Sequence, residues 1–208
     1  MKISKLIFLF VIVLFFSCKE PVYTPKKIAY PQIYTPHLDS FITFAENCPY
    51  TFEYPNYATI ENDSFFFDEK VMSDCWINLV YPSLNAKVHF SYKEIGKDIT
   101  LEKVMEDSHE LAYTHSKKAD YIDELEIKTP HNVEGKMIEI GGNTANNLQF
   151  YLTDYENHYL RGALYFTSHP NEDSVKPALQ FIKNDMLHVF ETFEWEKVRR
   201  DEMFKQGN

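Results

Sequence analysis

Glycine is scarce in this chain, and the glycine-rich motifs of several enzyme classes are absent. The sequence holds 6 glycines, with no Gly-x-Ser-x-Gly elbow and no Gly-Lys-Ser/Thr phosphate loop. Gly141 and Gly142 stand side by side at the predicted end of a strand, where a turn is expected. The sequence therefore indicates neither a nucleophile-elbow hydrolase nor a nucleotide-binding loop.

A zinc-hydrolase motif is also missing, although one segment comes close to it. After His109 and Glu110, the second histidine would have to stand four residues beyond the first, so that both imidazoles point from one helix face. Tyr113 occupies that position, and His115 is turned away by about 240°. We predict no metal, no other cofactor and no enzymatic activity. A hydrolase that uses His109 and Glu110 ranks last among the alternatives.

Basic residues are too few for binding to nucleic acid. The formal net charge is -10, and 44% of the residues are hydrophobic. Loss of Lys2 and Lys5 with a signal peptide takes the charge to -12. An acidic surface repels phosphate backbones and anionic lipid headgroups, so no nucleic-acid partner is expected.

No apolar run is long enough to cross a membrane. Residues 6–16 are apolar, but these eleven residues fall short of the ~20 that a spanning helix needs. Lys2 and Lys5 precede this run, and Ser17 and Cys18 follow it. A charged start, a short apolar run and a small residue before a cysteine form the pattern of a bacterial lipoprotein signal.

This pattern predicts a signal peptide over residues 1–17 and lipid attachment at Cys18. Acyl chains such as palmitate on Cys18 would hold the mature protein in a membrane, because two or more chains give stable anchoring. A plain secretory signal is the alternative, since Phe15 stands where lipoprotein signals usually carry leucine. With Lys19 next in the chain, the periplasmic face and the outer membrane both stay open as locations in the cell envelope.

Proline separates the predicted anchor from the predicted domain. We interpret residues 18–46 as a tether, residues 47–196 as a globular domain and residues 197–208 as a polar tail. The prolines of the tether are Pro21, Pro25, Pro31 and Pro36. At ~3.1 Å per residue, the proline-containing stretch from Lys19 to Pro36, if extended, would place the domain up to roughly 60 Å from the bilayer.

Two cysteines remain once Cys18 is assigned to lipid. Cys48 and Cys75 would be exported to a compartment where a disulfide persists. Two buried thiols fit the sequence equally well, because the distance between them is not known at this point.

Hydrophobic patterning predicts an α+β domain with a largely antiparallel sheet. In residues 87–93, Val88, Phe90 and Tyr92 alternate with polar residues, and residues 76–81 precede them as the other half of a hairpin. The predicted strands are 51–54, 57–60, 76–81, 87–93, 121–127, 133–140, 146–153 and 158–166. The predicted amphipathic helices are 100–118 and 174–193. By analogy alone, this order resembles the Mog1/PsbP-like layout.

Arg161 is the one arginine inside the predicted domain, and it lies in a predicted strand. Its guanidinium could grip an acidic ligand with two parallel hydrogen bonds, with His89 and Lys93 as further polar anchors on the same sheet face. An ordinary surface ion pair would satisfy Arg161 as well. Similarly, Trp76 is more typical of a core residue than of a ligand contact.

Several runs of residues between 47 and 195 together resemble one known family. The runs are CWINLVYP at 75–82, HFSYK at 89–93, EDS at 106–108, YTHSKKAD at 113–120, QFYLTD at 149–154, LRGALYF at 160–166 and ETFEW at 191–195. They are similar to the gliding motility lipoprotein GldD family of Bacteroidetes. That family has no established catalytic residues, so Cys18 alone carries over as a functional position.

The resemblance implies a non-enzymatic, membrane-anchored lipoprotein of the gliding motility machinery, which is linked to type IX secretion. Its expected partners are the membrane, through Cys18, and other gliding and secretion proteins of the envelope. We expect a scaffold or assembly role, because a tethered domain meets its neighbours at high local concentration. The alternative is a ligand-binding envelope lipoprotein that uses the polar sheet face around Arg161.

Overall fold

Two amphipathic helices and a set of antiparallel strands make up the described part of the chain. The computed structural model describes residues 33–62, 75–114, 119–167 and 172–196, together with the backbone of two short strands between them. All of them lie in the unit Pro31–Asn208. Cys18, the predicted signal peptide, the tether up to residue 32, His115 and the predicted tail fall outside these residues.

The element bounds follow the chain in order. The strands are β1 (Phe41–Phe44), β2 (Tyr50–Pro55), β3 (Thr59–Asn62), β4 (Phe65–Phe66), β5 (Glu69–Lys70), β6 (Ile77–Tyr81), β7 (Ala86–Glu94), β8 (Ile122–Lys128), β9 (Glu134–Ile140), β10 (Leu148–Thr153), β11 (His158–Phe166) and β12 (Glu194–Trp195). The helices are α1 (Leu101–Thr114) and α2 (Glu172–Thr192), with a 3-10 turn at Pro82–Leu84. The predicted α+β class is confirmed.

Within the described residues, seven strands form the main sheet in the order β3-β6-β7-β11-β10-β9-β8. Each neighbouring pair is antiparallel. A smaller sheet has the order β1-β2-β12, and β4 pairs with β5. The predicted hairpin of β6 and β7 is present, with Asn85 in the left-handed region at φ 49° after the 3-10 turn.

Helix α2 covers one face of the main sheet and builds the core. Alternation in β10 directs Phe150 to this face, where its ring meets that of Phe190 edge-on at 4.8 Å. Gly162 pairs with Phe150 in register, and a Cβ atom at Gly162 would lie 2.0 Å from Cζ of that ring. The aromatic core therefore depends on a position without a side chain.

Helix α1 covers part of the opposite face. Thr100 caps its first turn, since the hydroxyl oxygen of Thr100 accepts the backbone N–H of Lys103 at 3.3 Å. Ala112 packs with Ile138 and Ile140 in a second, smaller cluster. The main sheet is thus covered by a helix on each face.

The domain begins earlier than the sequence indicated. Strand β1 lies within residues 18–46, which were predicted as tether, so the boundary at residue 46 is wrong. The segment FITF is too short to be identified from its own pattern, and its pairing with β2 defines it as a strand.

Nearby, a disulfide joins Cys48 to Cys75, whose Cα atoms are 5.5 Å apart. Within the described residues, no helix is both long and apolar enough to span a membrane.

Candidate functional site: the polar sheet face beneath helix α1

The three residues predicted as a ligand face lie on one side of the main sheet. In the pairing of β11 with β7, Arg161 is opposite Ser91, Ala163 is opposite His89 and Tyr159 is opposite Lys93. Because side chains alternate along a strand, Arg161, His89 and Lys93 share the face that does not meet α2. The structure does not bring them into one site, however.

His89 is buried rather than solvated. Its side chain is 2% exposed, and its Nδ1 atom lies 2.9 Å from Oδ1 of Asn78, which is also buried. The ring of Trp76 meets the imidazole edge-on at 5.9 Å, and the Trp76 indole N–H donates to the carbonyl oxygen of Tyr92 at 2.7 Å. His89 and Trp76 therefore belong to the packing of this face.

Lys93 lies at a separate surface depression. This depression has a volume of about 430 Å³ and is lined by Trp76, Tyr92, Lys93 and the residues from Glu94 to Ile99. Arg161 is not among its lining residues. The sequence predicted that Lys93 and Arg161 share a sheet face. It could not show that the two residues line different cavities on that face.

Arg161 lines a smaller cavity between helix α1 and the sheet. Its volume is about 170 Å³. The wall combines apolar side chains with a few polar ones, and its residues are Met105, Ser108, His109, Ala112, Glu124, Lys136, Ile138, Gln149, Phe150, Tyr151 and Arg161. An apolar wall with a small number of polar groups is typical of sites for small ligands.

Arg161 and Gln149 form the polar end of this cavity. The Nη2 group of Arg161 donates to Oε1 of Gln149 at 2.5 Å. Gln149 is 2% exposed, and its buried Nε2 has no hydrogen-bond acceptor among the described residues. Burial lowers the pKa of the Arg161 guanidinium, and the neighbouring Tyr165 and Tyr159 oppose that effect. The guanidinium still carries its charge at neutral pH, because arginine is not deprotonated in proteins.

The acidic group at the cavity is already paired. The carboxylate of Glu124 accepts hydrogen bonds from Lys136 Nζ and from the Tyr113 hydroxyl, each at 2.7 Å. The Lys136 bond, followed by the Tyr113 bond, lowers the pKa of Glu124. The ring of His109 stacks on that of Tyr113 at 4.1 Å between centroids. Glu124 is therefore not a counter-ion for Arg161.

Helix α1 is also anchored to the sheet beside the cavity. The Tyr159 hydroxyl donates to Oγ of Ser108 at 2.7 Å. Within the described ranges, no group of three or more His, Cys, Asp or Glu side chains is arranged to hold a metal ion. His109 contributes an aromatic contact at this rim.

A second polar cluster was not predicted. The Tyr57 hydroxyl lies 2.8 Å and 2.9 Å from the two carboxylate oxygens of Asp185, on helix α2. Burial raises the pKa of Asp185 to about 6, while the hydrogen bond from Tyr57 and the nearby Tyr81 hydroxyl oppose the shift. Tyr57 and Asp185 are separated by 128 residues, so no local sequence pattern could have joined them.

Comparison with known families covers nearly the whole chain. A family model described as gliding motility lipoprotein GldD matches residues 20–195. The chain belongs to the GldD family. The GldD match confirms the resemblance seen in the sequence and extends it from residue 47 into the proline-rich segment. It includes β1 to β12, both helices and the cavity residues, and it begins just after Cys18. No curated protein sequence matches the chain significantly.

Proposed function

We propose that this GldD-family protein is a membrane-anchored, non-enzymatic scaffold or assembly factor of the bacterial gliding machinery, linked to type IX secretion. The observation that carries the proposal is the family match over residues 20–195, which includes every described strand and helix. Cys18 supplies the anchor in this proposal, at the periplasmic face or the outer membrane of the cell envelope. Its partners are the membrane and other gliding and secretion proteins.

The disulfide between Cys48 and Cys75 supports an exported location. Such bonds persist in the periplasm and at the cell surface, whereas cytosolic thiols are kept reduced. The predicted signal peptide directs the domain to the same side of the inner membrane. Cell-envelope localisation thus rests on the family, the N-terminal pattern and the cysteine pairing together.

A tethered domain suits a scaffold role for a physical reason. Acyl chains on Cys18 restrict the domain to a layer beside the membrane, and the proline-rich segment after it allows the domain to reach about 60 Å. Confinement to that layer raises the effective concentration of the domain near other envelope proteins. Weak contacts with several partners would then suffice for assembly.

The anchoring part of the proposal is tested in a deletion strain. The strain is complemented with the wild-type gene, with Cys18→Ala or with Phe15→Leu, and gliding of single cells is scored beside the profile of secreted proteins. We expect Cys18→Ala to fail although its folded domain is unchanged. Phe15→Leu is the matched control, because it restores the more usual signal residue and should glide normally. Normal gliding and secretion in the deletion strain would contradict the proposal.

The scaffold part needs a direct search for partners. A photoreactive residue is introduced in living cells at Leu111 in α1, at Leu125 in β8 or at Tyr155 in the turn between β10 and β11, which are 50%, 49% and 48% exposed. Val189 is the buried control at 0% exposure. We expect crosslinks to envelope proteins of the gliding machinery from at least one exposed position and none from Val189. Absence of such crosslinks at all exposed positions would argue against a scaffold.

A further inference from the structure

The cavity beneath helix α1 contains a cation without a carboxylate partner. Among the described residues, no acidic side chain forms an ion pair with Arg161, and the groups that act on its pKa are Tyr165 and Tyr159. Leaving a partly buried guanidinium without an opposite charge is costly, because the desolvation of the ion is not offset. An anion in the cavity would offset it.

Gln149 supplies a second, independent indication of a ligand. Its Oε1 is engaged by Arg161, which fixes the amide so that Nε2 is the remaining donor. Nε2 is buried without an acceptor among the described residues, and a buried donor without an acceptor is unfavourable. The Ser108 hydroxyl accepts from Tyr159, so its own proton can be donated as well. The donors of Arg161, Gln149 and Ser108 therefore favour a ligand group with several hydrogen-bond acceptors.

The rest of the cavity wall limits the size and the polarity of the remainder of the ligand. Met105, Ala112 and Ile138 line the cavity with apolar surface. A volume of about 170 Å³ corresponds to roughly six water molecules, at about 30 Å³ each. A ligand of about six non-hydrogen atoms, with one charged end and one short apolar end, matches both the size and the two kinds of wall.

We propose that this cavity binds a short monocarboxylate, with the carboxylate held by Arg161 and the Gln149 amide and the aliphatic end held against the apolar wall. The planar fork of arginine suits a carboxylate, which can accept two parallel hydrogen bonds. Glu124 and Lys136 also line the cavity, but their charges cancel because they form an ion pair. The net positive charge of the cavity wall therefore comes from Arg161. This proposal is independent of the scaffold role.

The probe is sodium butanoate, added to the full-length protein in detergent micelles at constant ionic strength. Amide spectra of the ¹⁵N-labelled protein are recorded during the titration. We expect saturable shifts of the Gln149 side-chain amide and of backbone amides in α1 and β10. Butanamide, which has the same shape without the charge, should cause no saturable shift.

Three variants assign the site. In Arg161→Gln, butanoate affinity should fall at least about tenfold, the loss expected for one hydrogen bond to a charged group. Gln149→Glu places a carboxylate beside Arg161 as an internal counter-ion and should abolish binding. Because Gln149→Glu keeps Arg161, this variant tests the site even if Arg161→Gln does not fold. Lys93→Gln is the matched control from the same sheet face and should bind as the wild type does.

Several results would overturn the proposal. No saturable shift with butanoate would remove the site. Undiminished binding in Gln149→Glu or Arg161→Gln would place the ligand elsewhere. Tighter binding of phosphate than of butanoate would mean that the assigned ligand class is wrong.

Discussion

The disulfide between Cys48 and Cys75 offers a quantitative test of the fold. It ties the segment before β2 to the segment before β6, and thereby the small sheet to the main sheet. The two cysteines are separated by 27 residues. In the chain-entropy model, closing a loop of this length restricts the unfolded chain and stabilises the fold by about 3.5 kcal/mol at 25 °C. The double variant Cys48→Ala with Cys75→Ala should lose approximately that free energy of unfolding.

Urea denaturation followed by circular dichroism measures this loss. With a slope of about 2 to 3 kcal/mol per molar urea, the midpoint should fall by about 1 to 2 M. Thermal unfolding should show a midpoint lower by about 7 to 14 °C, because 1 kcal/mol corresponds to about 2 to 4 °C in a domain of this size. Both shifts are well above the error of the methods.

Reduction separates the effect of the cross-link from that of packing. Cys48 and Cys75 are 6% and 7% exposed, so replacement by alanine also removes buried sulfur atoms. Wild-type protein in dithiothreitol keeps those atoms without the bond, and its midpoint should fall nearly as far as that of the double variant. The reductant should not affect the double variant itself. A wild-type midpoint that is the same with and without reductant would refute the reasoning.

Two further predictions concern packing and charge. The carboxyl of Asp185 has a pKa raised from 3.8 to about 6, so between these values the folded state retains a proton that the unfolded state has lost. The free energy of unfolding should therefore fall from pH 4 to pH 6. The expected fall is up to about 2 kcal/mol, after allowance for the partial exposure of Asp185. Asp185→Asn keeps an acceptor for Tyr57 and should flatten this part of the urea stability profile; an unchanged slope would contradict the assignment. Gly162→Ala places a methyl group against Phe150 and should lower the free energy of unfolding by about 1 to 3 kcal/mol. Gly96→Ala, with nothing within 4 Å of the added carbon, is the control, and equal losses in both variants would count against the packing argument.

Long or strongly patterned elements could be predicted from the sequence. The alternation of Val88, Phe90 and Tyr92 fixed strand β7, because three apolar side chains on one face leave little choice of period. Strand β1 was missed because four residues carry too little pattern, and its pairing with β2 supplies the remaining information. Tertiary pairing decides short strands in general.

The candidate site was predicted in part. Arg161 could be singled out because the predicted domain contains one arginine, and alternation placed His89 on the same face. Gln149 could not be identified, since its contact with Arg161 depends on the register between β10 and β11. Nor could the cover provided by α1 be predicted, and that cover changes Arg161 from a surface residue to a cavity residue.

The two helix layers differ in what holds them to the sheet, and this difference bears on the cavity. Helix α2 packs through a large aromatic and aliphatic cluster that includes Phe190, whereas the buried cluster at α1 has Ala112, Ile138 and Ile140 at its centre. Buried apolar area sets most of the packing free energy, so α1 is the more weakly held layer. A ligand between α1 and the sheet adds contacts to both and therefore stabilises this layer selectively. Leu111 is exposed on the outer side of α1. A ligand in the cavity would therefore reduce the mobility of this solvent-exposed side of the helix.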